Sequence, residues 1–105
     1  MAAKLGQRAR AESAGMQIRL HEDAINDLVA LRQYIAQDNP QAAQRIAGKI
    51  LERVKLLKEH PMLGKAGRIH ASRELVVIGT PYTVIYLPQP DVISILRVFH
   101  QAQQW

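Results

Sequence analysis

The fold is decided by the stretch Arg73-Glu-Leu-Val-Val-Ile-Gly-Thr-Pro-Tyr-Thr-Val-Ile-Tyr86 and by Asp91-Val-Ile-Ser-Ile-Leu-Arg-Val-Phe-His100, which follows it. Three short apolar runs, rich in β-branched residues, are separated by Gly-Thr-Pro and Pro-Gln-Pro-Asp, which are turn-forming sequences. The pattern predicts three strands joined by tight turns into an antiparallel meander.

Two amphipathic helices are predicted ahead of these strands. The first begins with Glu22 and Asp23 and ends near Gln37. The second has Asn39 as its N-cap and Pro40 at its first position. Its apolar residues recur with a helical period: Ala43, Ile46, Ala47, Ile50, Val54 and Leu57. Because the connection between the helices is short, they form an antiparallel hairpin.

A short alternating segment at residues 16–20 predicts one more strand. The expected fold is therefore α+β in the order β-α-α-β-β-β, with the helical hairpin packed on one face of a small antiparallel sheet of four strands. Residues 1–15 have no apolar period, and we expect them to form a flexible N-terminal extension. Residues 16–105 then form one domain.

Composition excludes several classes of protein. The chain has 105 residues, a net charge of +5 and a pI near 10.0, which suits a nucleic-acid or acidic protein partner. It contains no cysteine, and its histidines lack the spacing of metal ligands, so neither a metal nor a cofactor is expected. No run approaches the roughly 18 apolar residues of a membrane span. We expect a cytoplasmic protein.

Several short motifs occur in a characteristic order. They are Asp27-Leu28, Tyr34-Ile35-Ala36, Asn39-Pro40, Pro61-Met-Leu-Gly64, Gly67-Arg68, Arg73-Glu74-Leu75, Pro81-Tyr82-Thr-Val-Ile-Tyr86 and Ile95-Leu-Arg-Val-Phe-His100, ending at Trp105. In this order they resemble the RelE/ParE superfamily of type II toxin–antitoxin toxins over residues 16–105. The resemblance implies a growth-inhibiting toxin of a plasmid-stabilisation module, neutralised by a cognate antitoxin in a hetero-oligomer.

The resemblance implies one of two activities: poisoning of DNA gyrase, as in the ParE-like branch, or cleavage of mRNA on the ribosome. Cleavage needs a base, an acid and cations near the phosphate. The nuclease candidates are Arg68, Arg73, Tyr82, Arg97 and His100. However, the first two meander strands carry almost no positive charge, and Thr83 stands where the nuclease branch tends to carry arginine. We therefore favour gyrase poisoning.

For gyrase poisoning, the target-binding candidates are Arg68, Arg73, Tyr86, Arg97, His100 and Trp105. Structural roles compete with these assignments. The tyrosines can be packing groups, Arg97 can pair with an acid or a backbone carbonyl, and His100 can make a local hydrogen bond. A third function is a non-toxic partner that only supports operator binding by an antitoxin.

Strand parity makes a further prediction about the sheet. Side chains two residues apart share a face, which groups Ile85, Ile93 and Ile95 on a second apolar face opposite Val84. Since the helices cover only one face, we expect the antitoxin to cover the other face or a sheet edge.

Overall fold

The computed structural model of the chain describes residues 16–103. The helices are α1 (Glu22–Ala36) and α2 (Pro40–Leu56). The strands are β1 (Gln17–Leu20), β2 (Lys65–Ala66), β3 (Arg73–Val76), β4 (Tyr82–Pro88) and β5 (Val92–His100). The predicted α+β class, with a helical hairpin packed on a sheet, is confirmed. The predicted extension at residues 1–15 lies outside the described residues.

The sheet has the strand order β1-β5-β4-β3-β2. The meander of β3, β4 and β5 is antiparallel, as predicted. The sheet differs from the prediction in two ways: β1 runs parallel to β5, and β2 adds a fifth, two-residue strand at the other edge. Alternation of side chains predicts a strand but not its direction. The long connection from β1 to β5 allows the parallel pairing.

The helix ends follow the predicted local chemistry. The Asn39 side chain accepts a hydrogen bond from the Ala42 N–H at 3.0 Å, and Pro40 opens α2. This cap satisfies one of the backbone donors that a helix start leaves without a partner. No described helix is long and apolar enough to cross a membrane.

A β-bulge in β5 decides which of its side chains face the helices. Ile85 pairs with Arg97 whereas Tyr86 pairs with Ile95, so Leu96 is an extra residue in β5. The extra residue shifts the alternation of side chains along the strand. As a result, side chains on both sides of the bulge, Ile95 before it and Val98 after it, join the core beneath the helices.

The predicted second apolar face is wrong. Ile93 and Ile95 lie in the core with Val84, not beside Ile85. On the opposite face Ile85 is fully buried, and Phe99 is only 5% exposed, so that this region is not an open apolar surface. Parity within one strand cannot say which face a neighbouring strand shares, and it also fails across a bulge.

Tyr86 fixes the loop that enters β2. Its hydroxyl donates to the Pro61 carbonyl and accepts from the Gly64 N–H, each at 2.8 Å. Gly64 lies so close to the sheet that a Cβ there would be 2.7 Å from the Glu74 carbonyl oxygen. Only glycine fits at this position. Tyr86 is fully buried, so the loop is attached to the core itself.

Replacing Tyr86 by Phe should lower the free energy of unfolding by about 1–3 kcal/mol, because the Gly64 N–H and Pro61 carbonyl lose a buried partner. Urea unfolding monitored by circular dichroism measures this change. The matched control is Tyr34→Phe, since Tyr34 is 72% exposed. The control should change stability by less than about 0.5 kcal/mol. Equal effects of the two substitutions would contradict the role of the Tyr86 hydroxyl.

Candidate functional site

A carboxylate from α1 lies at the open edge of β5. Since β1 ends at Leu20 and β5 continues to His100, the outer edge of β5 beyond Ile95 has no neighbouring strand in the described sheet. Asp27 fills this position by accepting the Val98 N–H at 2.9 Å. The side chain therefore satisfies a backbone donor that a longer β1 would have satisfied.

The same carboxylate holds Arg97 in a bidentate ion pair. Its two oxygens accept the Nε–H and an Nη–H of the guanidinium at 2.8 and 3.0 Å. The hydrogen bonds to Asp27 raise the pKa of Arg97, so that the group stays charged. The arginine that sequence reasoning places in the functional region is thus paired with an acid of α1.

Arg68 forms a second pair, on the face opposite the helices. Its Nε–H and an Nη–H bind the Glu74 carboxylate at 2.8 and 3.2 Å, and its backbone N–H binds the same carboxylate. The guanidinium also stacks on the Phe99 ring, 4.5 Å from its centre. The hydrogen bond from Arg68, with help from Lys65, holds the pKa of Glu74 below its ordinary value despite burial.

Arg73 binds the loop that precedes β2. Its Nη1 donates to the backbone carbonyls of Met62 and Gly64. Arg73 pairs with Tyr86 in the β3–β4 ladder, so both side chains hold the same loop. Both candidates therefore make contacts that stabilise the loop entering β2.

Tyr82 and His100 do come together. Their rings meet edge to face with centres 5.4 Å apart. They line a cleft of about 410 Å³ between α1 and the ends of β4 and β5. The lining residues are Asp27, Ala30, Leu31, Tyr34, Tyr82, Val98, His100 and Gln103.

The hydrogen bonds of His100 restrict its proton chemistry. Its Nδ1 accepts the Ala102 N–H at 3.0 Å, so the neutral ring carries its proton on Nε2. A proton on Nδ1 would face the Ala102 N–H. In this arrangement Nδ1 is already used as an acceptor and the Nε2–H is the group left to donate.

Tyr82 does not act as a base at neutral pH. Burial, and to a smaller extent the nearby Tyr34, raises the pKa of Tyr82. The phenol therefore stays protonated at neutral pH and can only donate its proton or a hydrogen bond. Burial raises the pKa of Tyr86 as well, with the Gly64 hydrogen bond and the Arg73 charge opposing it.

Among the predicted site residues that the structure describes, Tyr82 and His100 line one cleft, whereas Arg68 and Arg97 bind different carboxylates. Trp105 lies outside the described residues. Sequence reasoning missed the parts played by Asp27 and Glu74, although both stand in the motifs quoted above. Among residues 16–103, no three His, Asp or Glu side chains cluster as metal ligands.

Known proteins share both the sequence and the fold. The ParE toxin model of type II toxin–antitoxin systems, parDE, matches residues 18–105. Y4kP from Sinorhizobium fredii, which is named as a toxin, is 42% identical over 82 residues, covering 78% of this chain and 84% of Y4kP. Toxin RelE2 from Caulobacter vibrioides is 38% identical over 80 residues, covering 76% and 89% of the two chains.

Two solved structures have the same fold. A chain of the chromosomal ParDE system from P. aeruginosa superposes with a TM-score of 0.73 at 23% identity, covering 83% of this chain and 97% of that one. A chain of the RelBE2 toxin–antitoxin complex from Mycobacterium tuberculosis gives 0.60 at 26% identity, covering 80% and 95%.

The helical hairpin on a mixed sheet, together with these relatives, defines a toxin of the RelE/ParE superfamily from a type II toxin–antitoxin module. Within that class, the match over residues 18–105 is to the ParE model. The chain belongs to the ParE toxin family.

The Glu74–Arg68 pair predicts a pH dependence of stability. Because the folded state lowers the pKa of Glu74, its stabilising effect is present above the ordinary glutamate pKa and is lost as pH falls through the lowered value. Glu74→Gln should therefore lower the melting temperature at pH 7. The difference from the unmodified protein should shrink toward pH 3. Thermal melts across this range measure it, and a difference that does not change with pH would contradict the pair.

Proposed function

We propose that this toxin inhibits growth by binding and poisoning DNA gyrase and that a cognate antitoxin neutralises it. The observation that carries the gyrase target is the state of Arg68, Arg73 and Arg97. Arg68 and Arg97 are held by carboxylates of the same chain, and Arg73 is bound to backbone carbonyls. RNA cleavage without a metal needs cations that can turn to the phosphate as its charge develops.

The contacts of the two remaining nuclease candidates, His100 and Tyr82, also favour a protein target. The His100 ring is used as an acceptor for the Ala102 N–H, and the Tyr82 phenol has a raised pKa. The protonated Tyr82 phenol is not a base for a ribose hydroxyl at neutral pH, and the Nδ1 of His100 is already used as an acceptor. A toxin that acts by binding gyrase needs no such base.

A second candidate is a ribosome-dependent mRNA endonuclease. It is favoured by the name of the Caulobacter relative, toxin RelE2, and by the shared cleft of Tyr82 and His100. In that function Tyr82 would donate a proton to the leaving oxygen. The third reading, a non-toxic partner in operator binding, predicts no growth inhibition at all.

The antitoxin has a suitable surface at the β1 edge. A cleft of about 590 Å³ lies between β1 and α2, and it is lined by Met16, Gln17, Ile18, Leu20, Leu51, Val54, Lys55 and Lys58. The floor is apolar, and the charged lining residues are two lysines. This chemistry favours an acidic segment with apolar residues on one side.

The backbone of β1 supports the same site. The amides of Gln17 and His21 point toward β5, where they donate to Asp91 and Ile95. Successive amides alternate in direction, so those of Ile18 and Leu20 point to the open edge of the described sheet. An extended antitoxin segment can add there as a further strand and place alternate side chains in the cleft.

The gyrase proposal is tested with the purified toxin in two assays. We expect it to inhibit gyrase supercoiling and to leave translated mRNA intact. Cuts in mRNA that are positioned by codon and vanish in Arg97→Ala and His100→Phe would overturn the proposal in favour of the endonuclease. Unchanged growth on expression without the antitoxin would exclude both toxic functions.

The antitoxin site is tested by reversing its charge. The double variant Lys55→Glu/Lys58→Glu should bind the cognate antitoxin roughly tenfold more weakly at low salt, with a smaller effect at high salt. Arg45→Glu/Lys49→Glu makes the same change of charge elsewhere on α2 and is the matched control. Titration calorimetry measures both affinities. Equal losses of affinity in the two double variants would show that the antitoxin binds elsewhere.

A further inference from the structure

We infer that Asp27 and Glu74 are specificity determinants, which hold Arg97 and Arg68 so that RNA phosphates cannot bind them. This inference rests on the proposed gyrase-directed function, and it assigns a reason for the absence of RNA as a target. It makes these two acids more than stabilising partners: they decide which chemical class of target the protein accepts.

The two arginines are accessible enough to reach a phosphate. The side chain of Arg68 is 39% exposed and that of Arg97 is 38% exposed, whereas Glu74 and Asp27 are 8% and 17% exposed. Both arginine side chains are therefore partly exposed, whereas their carboxylate partners are largely buried. An anion that approaches either side chain from solvent meets a guanidinium already bound by its carboxylate.

The carboxylates occupy the groups that a phosphate would use. In both pairs the Nε–H and an Nη–H bind the acid, which is the same two-pronged geometry that arginine offers to phosphate. A carboxylate of the same chain acts as a ligand at high effective concentration. A phosphate must displace it before it can make this contact.

Both acids are also fixed in place by contacts to the backbone. Asp27 accepts the Val98 N–H, and Glu74 accepts the Arg68 N–H. These bonds keep each carboxylate beside its arginine, so it does not move aside easily. Glu74 also lies opposite Lys65 in the β2–β3 ladder. Its negative charge therefore offsets part of the positive charge of Lys65 and Arg68.

An RNA target and a protein target depend to different degrees on these arginines, and specificity follows from that difference. Single-stranded RNA binds through repeated phosphate contacts, so each occupied arginine removes affinity and salt dependence. A protein target offers apolar and hydrogen-bonding contacts that need no displacement of the acids. Pairing the arginines internally therefore weakens RNA binding more than it weakens binding of a protein surface.

The test measures binding of a short, fluorescein-labelled single-stranded RNA by fluorescence anisotropy. Asp27→Asn and Glu74→Gln keep an acceptor for the backbone N–H and remove the charge that holds the arginine. Each should bind RNA roughly tenfold more tightly than the unmodified toxin at low salt. The plot of log affinity against log salt should steepen by about 0.7 for each phosphate gained.

The matched control is Glu52→Gln, which removes the same charge from an exposed position of α2. It should change RNA affinity much less than either test variant. An equal gain in all three variants would show a general charge effect and overturn the inference. Unchanged affinity in both Asp27→Asn and Glu74→Gln, with native circular dichroism spectra, would also overturn it.

Failure of the inference is distinguishable from failure of the proposed function. If the variants gain no RNA affinity while the unmodified toxin still inhibits gyrase, only the inference fails. If the unmodified toxin cuts mRNA on the ribosome, the proposed function fails as well. Reversion of the RNA gain by a second substitution, Asp27→Asn/Arg97→Gln, would confirm that Arg97 supplies the new contact.

Discussion

The site depends on one carboxylate, placed where the parallel strand β1 ends before β5 does. Asp27 satisfies the Val98 N–H at the open strand edge and binds Arg97 through both oxygens. These contacts connect α1 to the far end of β5, beyond the last residue that β1 can reach. They also fix one wall of the cleft that holds Tyr82 and His100. A backbone requirement of the fold thereby determines how the Arg97 side chain is bound.

A second carboxylate binds an arginine of the same chain near the β2 edge of the sheet. Glu74 binds the side chain and the backbone of Arg68, while Tyr86 and Arg73 hold the loop that precedes β2. Charged residues that could have bound a nucleic-acid target are used instead to complete the protein's own structure.

Sequence patterns predicted the helices, the meander and the Asn39 cap, because these depend on contacts within a few residues. The direction of β1 and the bulge at Leu96 were not predictable, since alternation carries no information on direction or on an inserted residue. The site was predicted less well than the fold. Asp27 and Arg97 are 70 residues apart in the chain, so their pairing appears only in three dimensions. Arg68 and Glu74 are six residues apart, but they meet only because β2 and β3 form a hairpin.

In solution, Arg68 and Arg97 should both be bound by carboxylates of the same chain. Nitrogen-15 NMR of the arginine side chains measures this pairing. We expect both Nε–H signals to resist exchange with water at neutral pH and the Nη nitrogens to give separate signals, because the guanidinium groups cannot rotate freely. Rapidly exchanging Nε–H groups with a single averaged Nη signal for each arginine would contradict it.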